Sequence, residues 1–268
     1  MLVCTIGDLT LDVVVRLSGP VAVGGDTDAE ISLSSGGQAG NVAAWAAALG
    51  ASARFVGKTG SDDAGTFARA GLAARGVEIV GPAEGRNGVI CSLVSPNGER
   101  SMAADRGTGV DLRPEEIDPA WLEGCDHLFV SGYALMREPA RAAGFRAVQL
   151  ARAVDAGVSL DLASWSGIRD VGAGRYRELV ETLAPDLVFA NEDEERIVGG
   201  RFPRVTWILK RGARGCSFDG DERAALPIEL VADTTGAGDA LAAGFIVGGP
   251  ELALEAAARC VARLGSMP

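Results

Sequence analysis

The sequence predicts an α/β fold: a mostly parallel central sheet with helices on both faces, three layers in all, and a small β sheet outside them. Three observations carry this. Short apolar runs, closed by Gly, Ser, Asp or Asn, alternate with helical patterns along most of the chain, and such alternation builds a parallel sheet buried on both faces. The 268 residues, 47% hydrophobic, suffice for one large domain with a full core. Two stretches, approximately 12–35 and 87–106, break the alternation with β-rich sequence.

In chain order the strand runs are Val3–Ile6, Arg54–Gly57, Leu128–Ser131, Val158–Leu162, Leu187–Ala190 and Trp207–Lys210. Polar residues at their carboxyl ends fall where ligands bind in such sheets. Between them, residues 40–49 carry Val42, Trp45, Ala46 and Leu49 at helical spacing. Residues 62–75 open on Asp62, a capping residue, with Phe67 and Leu72 expected to face inward. Residues 138–156, 172–184 and 251–264 are also helical in pattern, and Gly157 is a stop signal. In the first β-rich stretch, Asp12–Leu17 and Ala29–Ser34 flank a segment containing Gly and Pro. In the second, Val89–Val94 and Arg100–Ala103 flank the turn Pro96-Asn97-Gly98, which predicts a hairpin or two sheet strands. Together the two stretches can make a small sheet apart from the main layer. With no internal repeat, low-complexity segment or linker, residues 1–268 are expected to form one domain.

Composition narrows the function. A net charge of −11 and a pI near 4.7 argue against nucleic acid or an anionic membrane as partner. They leave room for a phosphorylated ligand held by a local backbone nest. Five cysteines without a Cys-x-x-Cys pair, several in apolar runs, predict buried free thiols of a reducing cytosol. The N-terminus lacks a basic flank, and no apolar run approaches the roughly 20 residues of a membrane span, so a soluble cytoplasmic protein is expected. His127 is the one histidine, which excludes a multi-His metal site and disfavours a Ser-His-Asp triad; it is expected at a strand edge.

The segment Val231–Gly244 organises the rest. Its Asp233-Thr-Thr-Gly-Ala-Gly-Asp-Ala240 is a glycine loop running into an apolar helix. Unpaired N–H groups at a helix start, reinforced by the helix dipole, bind anions, and glycines allow close approach. Asp239 lies where those groups converge. A carboxylate there suits a base that takes a proton from a hydroxyl while amides hold a phosphoryl group. The same residues also allow a plainer arrangement, with Asp233 or Thr235 capping the helix and Asp239 in its favourable first turn. As a whole the string resembles the C-terminal signature of the ribokinase-like (PfkB) family of sugar and nucleoside kinases. The resemblance implies the ribokinase-like fold, ATP as donor, Asp239 as base, and an anion hole of Gly236, Ala237, Gly238 and the Asp239 amide. It also implies that the two β-rich stretches form a lid over the sugar site.

Other motifs extend the resemblance. Gly36-Gly37-Gln-Ala-Gly-Asn41 is similar to the family's Gly-Gly-x-x-x-Asn, which contacts the phosphate acceptor; an Asn both donates and accepts, as a polyol requires. Position 38 is Gln where ribokinases proper have Lys, which weakens an assignment to ribose. Asp12, five residues after Gly7, and Asp8 are candidates for the sugar hydroxyls, or else solvated strand-end carboxylates. Asn191 and Glu194 match the family's Asn-x-x-Glu, which organises Mg2+ largely through water, as that ion prefers; an acidic helix start fits them equally. Gly212 and Gly215 suit a turn beside the nucleotide, and Lys210 is open between a phosphate contact and a surface cation. Arg106 can bind a substrate carboxylate or hydroxyl, or pair with Asp105. Asp161 and Trp165 can line the cleft, and Asp193 and Glu195 are expected in solvent. The tail Cys260–Pro268 resembles a K+-binding loop; with the carbonyls around Val231 and Asp233 it implies a possible monovalent cation site.

The expected activity is ATP-dependent phosphorylation of a sugar hydroxymethyl group. The alternatives are a nucleoside kinase of the same family (adenosine, cytidine or pseudouridine type) and a sugar-acid kinase of the 2-keto-3-deoxygluconate type. With aromatics only 5% of the chain and Val and Ile runs in the lid, a base pocket is disfavoured. The first strand lacks Gly-x-Gly-x-x-Gly after it, which argues against a dinucleotide-dependent dehydrogenase. An intact Asp239 loop argues against a non-catalytic binding protein. Relatives often dimerise through the lid, so a homodimer is a further expectation.

Overall fold

The structure, a computed structural model, describes residues 1–97 and 100–268. A nine-stranded sheet forms its middle layer, in the order β13-β12-β11-β10-β9-β8-β1-β4-β5. The strands are β1 (Leu2–Ile6), β4 (Ser52–Val56), β5 (Val77–Val80), β8 (His127–Ser131), β9 (Gly157–Asp161), β10 (Leu187–Asn191), β11 (Thr206–Lys210), β12 (Cys216–Phe218) and β13 (Asp221–Arg223). From β11 across to β5 they run parallel; β12 and β13 add an antiparallel edge. Side chains alternate between two apolar layers, as strand geometry requires. Val3, Phe55, Phe129, Phe189 and Ile208 face one, and Cys4, Val56, Leu128, Val188 and Leu209 the other. Each layer is closed by helices, giving the expected three-layer α/β/α arrangement.

On the first face lie α1 (Gln38–Ala48), α2 (Asp63–Ala73) and α8 (Ala237–Val261). The second face is closed chiefly by α4 (Ala140–Ala153), α5 (Trp165–Val171), α6 (Ala173–Leu183) and α7 (Glu192–Ile197), with the short α3 (Gly132–Leu135) at its edge. Helix α1 is buried from Gln38 through Ala46, between the sheet and α8. Its alanines permit that close approach without loss of helix propensity.

Asp62 caps α2 as expected, its Oδ1 accepting from the Gly65 amide at 3.0 Å. Phe67, expected to face inward, is instead 43% exposed. The inward face is carried by Gly65, Ala68 and Leu72, and Phe67 lies outside that stripe.

A second correction concerns α8. By length and composition it could cross a membrane, contrary to the expectation that no segment would. It departs from helical geometry at Gly248 and Gly249, just before Pro250, and buries Ala240–Gly244 and Ala253 in the core. Its apolarity serves burial on several sides at once.

The two β-rich stretches form one four-stranded sheet, β3-β2-β6-β7, from β2 (Thr10–Leu17), β3 (Ala29–Gly36), β6 (Gly88–Val94) and β7 (Arg100–Asp105). Strands β6 and β7 pair antiparallel, and β2 joins them to β3 by pairing parallel to β6. Gly98 of the expected turn lies outside the described residues. All five cysteines are free and four are buried. His127 opens β8, lies 2.9 Å from Ser159 Oγ, and is pushed down to about 4 by burial.

The strand order positions the site. From β1 the chain winds outward through β4 and β5 on one side and through β8 to β13 on the other. The order therefore reverses between β1 and β8, and a crevice opens at their carboxyl ends. Gly7 lies there against Ser131, where a Cβ would come within 2.5 Å of the Ser131 Cβ.

Candidate active site

Helix α8 starts without a side-chain cap. Its N-cap is Gly236, in left-handed geometry at φ 79°, where a Cβ would lie 2.7 Å from Ser266 backbone atoms. Asp233 and Thr235 do not cap the helix. Asp233 Oδ1 accepts from the Thr235 amide and hydroxyl at 2.9 and 2.6 Å, and Oδ2 from the Gly265 amide at 3.3 Å. The carboxylate thus ties the glycine loop to the C-terminal tail. The Ala237 amide makes a long 3.4 Å contact to the Thr234 carbonyl, and those of Gly238 and Asp239 have no acceptor among the described residues. Amides left open at the positive end of a helix suit an anion.

Asp239 is half-buried in that first turn. Asn41 Nδ2 donates to its Oδ2 at 2.7 Å, and Asn41 Oδ1 accepts from Ser266 Oγ at 3.0 Å. Ser266 is fixed in turn by its carbonyl, which accepts from Trp45 Nε1 at 2.9 Å. Burial pushes the Asp239 carboxyl up to about 8; Asp161 and Asp8 add to the rise, while the Asn41 bond and Lys210 oppose it. Asn41, expected at the acceptor, thus also positions Asp239. Ser266 was not singled out in the sequence, because its partner is 225 residues away.

A cleft of about 540 Å³ occupies the crevice at the switch point. Asp8 lines it and is only 7% exposed. Its Oδ2 accepts from Arg106 at 2.9 Å, while its buried Oδ1 has no partner. A buried acceptor in that condition is costly unless a donor reaches it. Arg106 also lies over the Tyr133 ring, 3.9 Å from its centroid. The local pairing of Arg106 with Asp105 does not form: Asp105 pairs with Arg86 instead. Asp12 accepts from the Thr10 hydroxyl at 2.7 Å and is raised to about 6, by burial first. It explains Gly36, where a Cβ would lie 2.0 Å from Asp12 Oδ2. At Gly37, at φ 90°, a Cβ would lie 2.6 Å from the Asp8 carbonyl oxygen.

A second cleft, of about 460 Å³, is lined by Ala237 and Gly238 of the α8 start. Gly212 and Gly215, both at positive φ, turn the chain along it, and Leu226, Leu241 and Leu254 give it apolar walls. Lys210 lines it too. It is no surface cation: its ammonium is paired with the buried Asp161, and a Cβ on Gly238 would lie 3.3 Å from its Nζ. Asp161 and Glu194 hold it strongly protonated against burial. Asp161 is therefore the counter-ion of Lys210, a role its sequence context did not announce. Trp165 is exposed, with Arg169 over its ring.

Asn191 and Glu194 form a reciprocal helix cap. Asn191 Oδ1 accepts from the amides of Asp193 and Glu194, and the Glu194 carboxylate accepts from the Asn191 amide and Nδ2, both at 2.8 Å. Glu194 is 2% exposed, and burial raises its carboxyl to about 7. No group of three His, Cys, Asp or Glu side chains able to hold a metal occurs among the described residues.

The family model described as pfkB family carbohydrate kinase matches residues 1–267. The chain belongs to this family. A pfkB kinase is a phosphotransferase acting from ATP on an alcohol group of a sugar. The ATP-dependent ribose-1-phosphate kinase of Halopiger xanaduensis is 32% identical, over 96% of this chain and 90% of that protein. The crystal structure of adenosine kinase from Sinorhizobium meliloti superposes with a TM-score of 0.87 at 25% identity, covering 99% of this chain and 95% of that one. An E. coli structure, described as a ribokinase II in complex with ATP and Mg2+, has a TM-score of 0.83 at 21% identity, covering 99% and 94%. This pfkB kinase therefore has the ribokinase-like fold.

Proposed function

We propose that this kinase transfers the γ-phosphoryl group of ATP to a hydroxymethyl group of a sugar, with Asp239 as general base. One observation carries the reading. The Asp239 carboxyl is fixed by Asn41, pushed up to about 8, and set beside the unclaimed amides of Gly238 and Asp239. A base poised near neutral pH suits proton transfer from an alcohol. Ala237 and Gly238, just before it, wall one cleft; Asp8, whose charge acts on it, walls the other.

As the hydroxyl attacks, Asp239 takes its proton. The amides of residues 237–239 and the Lys210 ammonium meet the charge on the transferring group. The open Oδ1 of Asp8 and the carboxyl of Asp12 accept from sugar hydroxyls, with Gly36 and Gly37 allowing close approach. The apolar cleft by Gly212 and Gly215 takes the nucleotide. Closure of the β2–β3–β6–β7 sheet over the sugar excludes water. Its exposed Ile31, Leu33 and Met102 suit a second copy of the chain, which sedimentation velocity would detect as a dimer.

Mg2+ fits the residues present as an ion carried mainly by the phosphates. Oxygen donors are at hand in Asn191 and Glu194, but both Glu194 oxygens are already bonded, so contact runs through water. When bound, the ion neutralises charge on the phosphates. A K+ ion near the Val231 and Asp233 carbonyls and the tail belongs to the same proposal; equal activity in Na+ and K+ would count against it.

The acceptor is a sugar rather than a nucleoside, since Tyr133, the aromatic residue lining the acceptor cleft, has Arg106 over its ring. The name of the Halopiger relative makes a phosphorylated ribose one candidate acceptor. The test is ADP release from Mg-ATP with a panel of sugars, sugar phosphates, sugar acids and nucleosides, followed by phosphorus NMR of the product. Coupling of the new phosphorus to CH2 protons is expected. Transfer to a secondary hydroxyl, or ADP release independent of any acceptor, would overturn the reading.

A further inference from the structure

The acceptor cleft is cationic in an acidic protein. The chain carries a net charge of −11, yet this cleft is lined by Arg106, Arg137, Arg141 and Arg175 against only Asp8 and Asp170. Most of these charges are already committed. Arg106 pairs with Asp8, and Asp170 pairs with Arg169 outside the lining. Arg141 is buried, with Nε donating to the Leu135 carbonyl at 2.7 Å and NH1 paired to Glu138 at 3.0 Å.

Arg137 and Arg175 differ. Both are exposed, and neither side chain has a hydrogen bond or ion pair among the described residues. Arg137 follows α3, and Arg175 lies in the first turn of α6, so two separate elements bring them to one cleft. Most of the other arginines of this chain have found carboxylates or carbonyls; these two have not. The cleft of Gly212, Gly215 and Gly238 shares no lining residue with theirs. Guanidinium forks match the planar or tetrahedral oxygens of carboxylate and phosphate, and bind them with charge-assisted hydrogen bonds.

We propose that Arg137 and Arg175 form an anion subsite, and that the acceptor is a sugar carrying a phosphate or carboxylate group away from the hydroxymethyl group it presents to Asp239. This rests on the kinase reading for the role of Asp239, but the subsite itself is a matter of binding. The hydroxymethyl end meets Asp239, ring hydroxyls meet Asp8 and Asp12, and the anionic end meets the two arginines. Arg106, held by Asp8 and Tyr133, links the two regions and does not itself need to release its partner.

The test is calorimetric titration of the full chain with ribose 1-phosphate, ribose and gluconate, without nucleotide. Ribose 1-phosphate or gluconate should bind at least about 10-fold more tightly than ribose, as expected for charge-assisted contacts. That advantage should shrink as salt rises from about 0.05 to 0.5 M. Arg137→Ala and Arg175→Ala should each lower affinity for the preferred anion by about 10-fold and leave ribose within about 2-fold. A preference for ribose 1-phosphate identifies a phosphate, and a preference for gluconate a carboxylate; both uphold the subsite. Equal binding of ribose and both anions, or an anion preference that survives both substitutions, would overturn it. If the anion binds through these arginines but no sugar is phosphorylated, the kinase mechanism falls and the subsite stands.

Discussion

Asn41→Ala separates two roles that one side chain can play. In the structure its amide nitrogen holds Asp239 at 2.7 Å and its oxygen accepts from Ser266 at 3.0 Å, with the residue 5% exposed. A hydrogen bond to a carboxylate contributes about 1.5–3 kcal/mol, and the neutral one to Ser266 about 0.5–1.5. The Asn41 bond lowers the Asp239 pKa, so its loss raises that pKa further above 8. Below the raised pKa less of the enzyme carries the base, and kcat/KM for a neutral sugar should fall by about 10- to 100-fold at pH 7. The assay is kcat/KM from pH 6 to 10. The acidic limb, rising near 8 in the wild type, should move upward in the variant, with much of the rate recovered at high pH. An unmoved limb with only a raised sugar KM would refute the positioning role and leave Asn41 as a substrate contact.

Three other outcomes follow from the same geometry. Gly36→Ala puts a Cβ 2.0 Å from the Asp12 carboxylate and should raise sugar KM by roughly 10-fold, with an overpacking cost of about 1–3 kcal/mol in urea unfolding; an unchanged KM would remove Asp12 from the sugar site. Asp161→Asn leaves the Lys210 ammonium without its counter-ion and should destabilise the fold by about 2–4 kcal/mol; unchanged urea unfolding would contradict a buried pair. Asp239 titrates higher in the folded chain than in the unfolded one, so the stability it contributes is full below about 4 and is lost as pH rises through 8. Asp239→Asn should therefore raise the melting temperature by several degrees at pH 8.5 and by less at pH 5; the opposite order would show that the carboxyl is not held above its usual range.

Much of the fold can be read from local sequence. The apolar runs ending in polar residues became β1, β4, β8, β9, β10 and β11, and the two stretches that broke the alternation paired into one sheet. What stayed hidden has particular reasons. Strands β12 and β13 are three residues each, too short for a period to register. Phe67 is exposed because the buried stripe of α2 runs through Gly65, Ala68 and Leu72, and a spacing of five from Phe67 to Leu72 does not keep both on one helical face. In the site, the Gly-Ala-Gly-Asp loop, the paired glycines and Asn41 were marked by motif. Their partners were not: Arg106 chose Asp8 over its neighbour Asp105, Lys210 chose Asp161 across 49 positions, and Ser266 reached Asn41 from the far end of the chain. Sheet order makes those pairings, and no local pattern encodes it. Arg137 and Arg175 lie outside every motif and become notable only once they line the cleft without partners.

The role of Asp239 is tested most directly by single-turnover phosphoryl transfer in Asp239→Asn with the sugar acceptor and Mg-ATP. Transfer should slow on the order of 10²- to 10⁴-fold, as for loss of a general base, while ATP affinity stays within about 3-fold. A transfer rate near that of the wild type, with binding intact, would contradict a mechanism in which this carboxyl takes the proton.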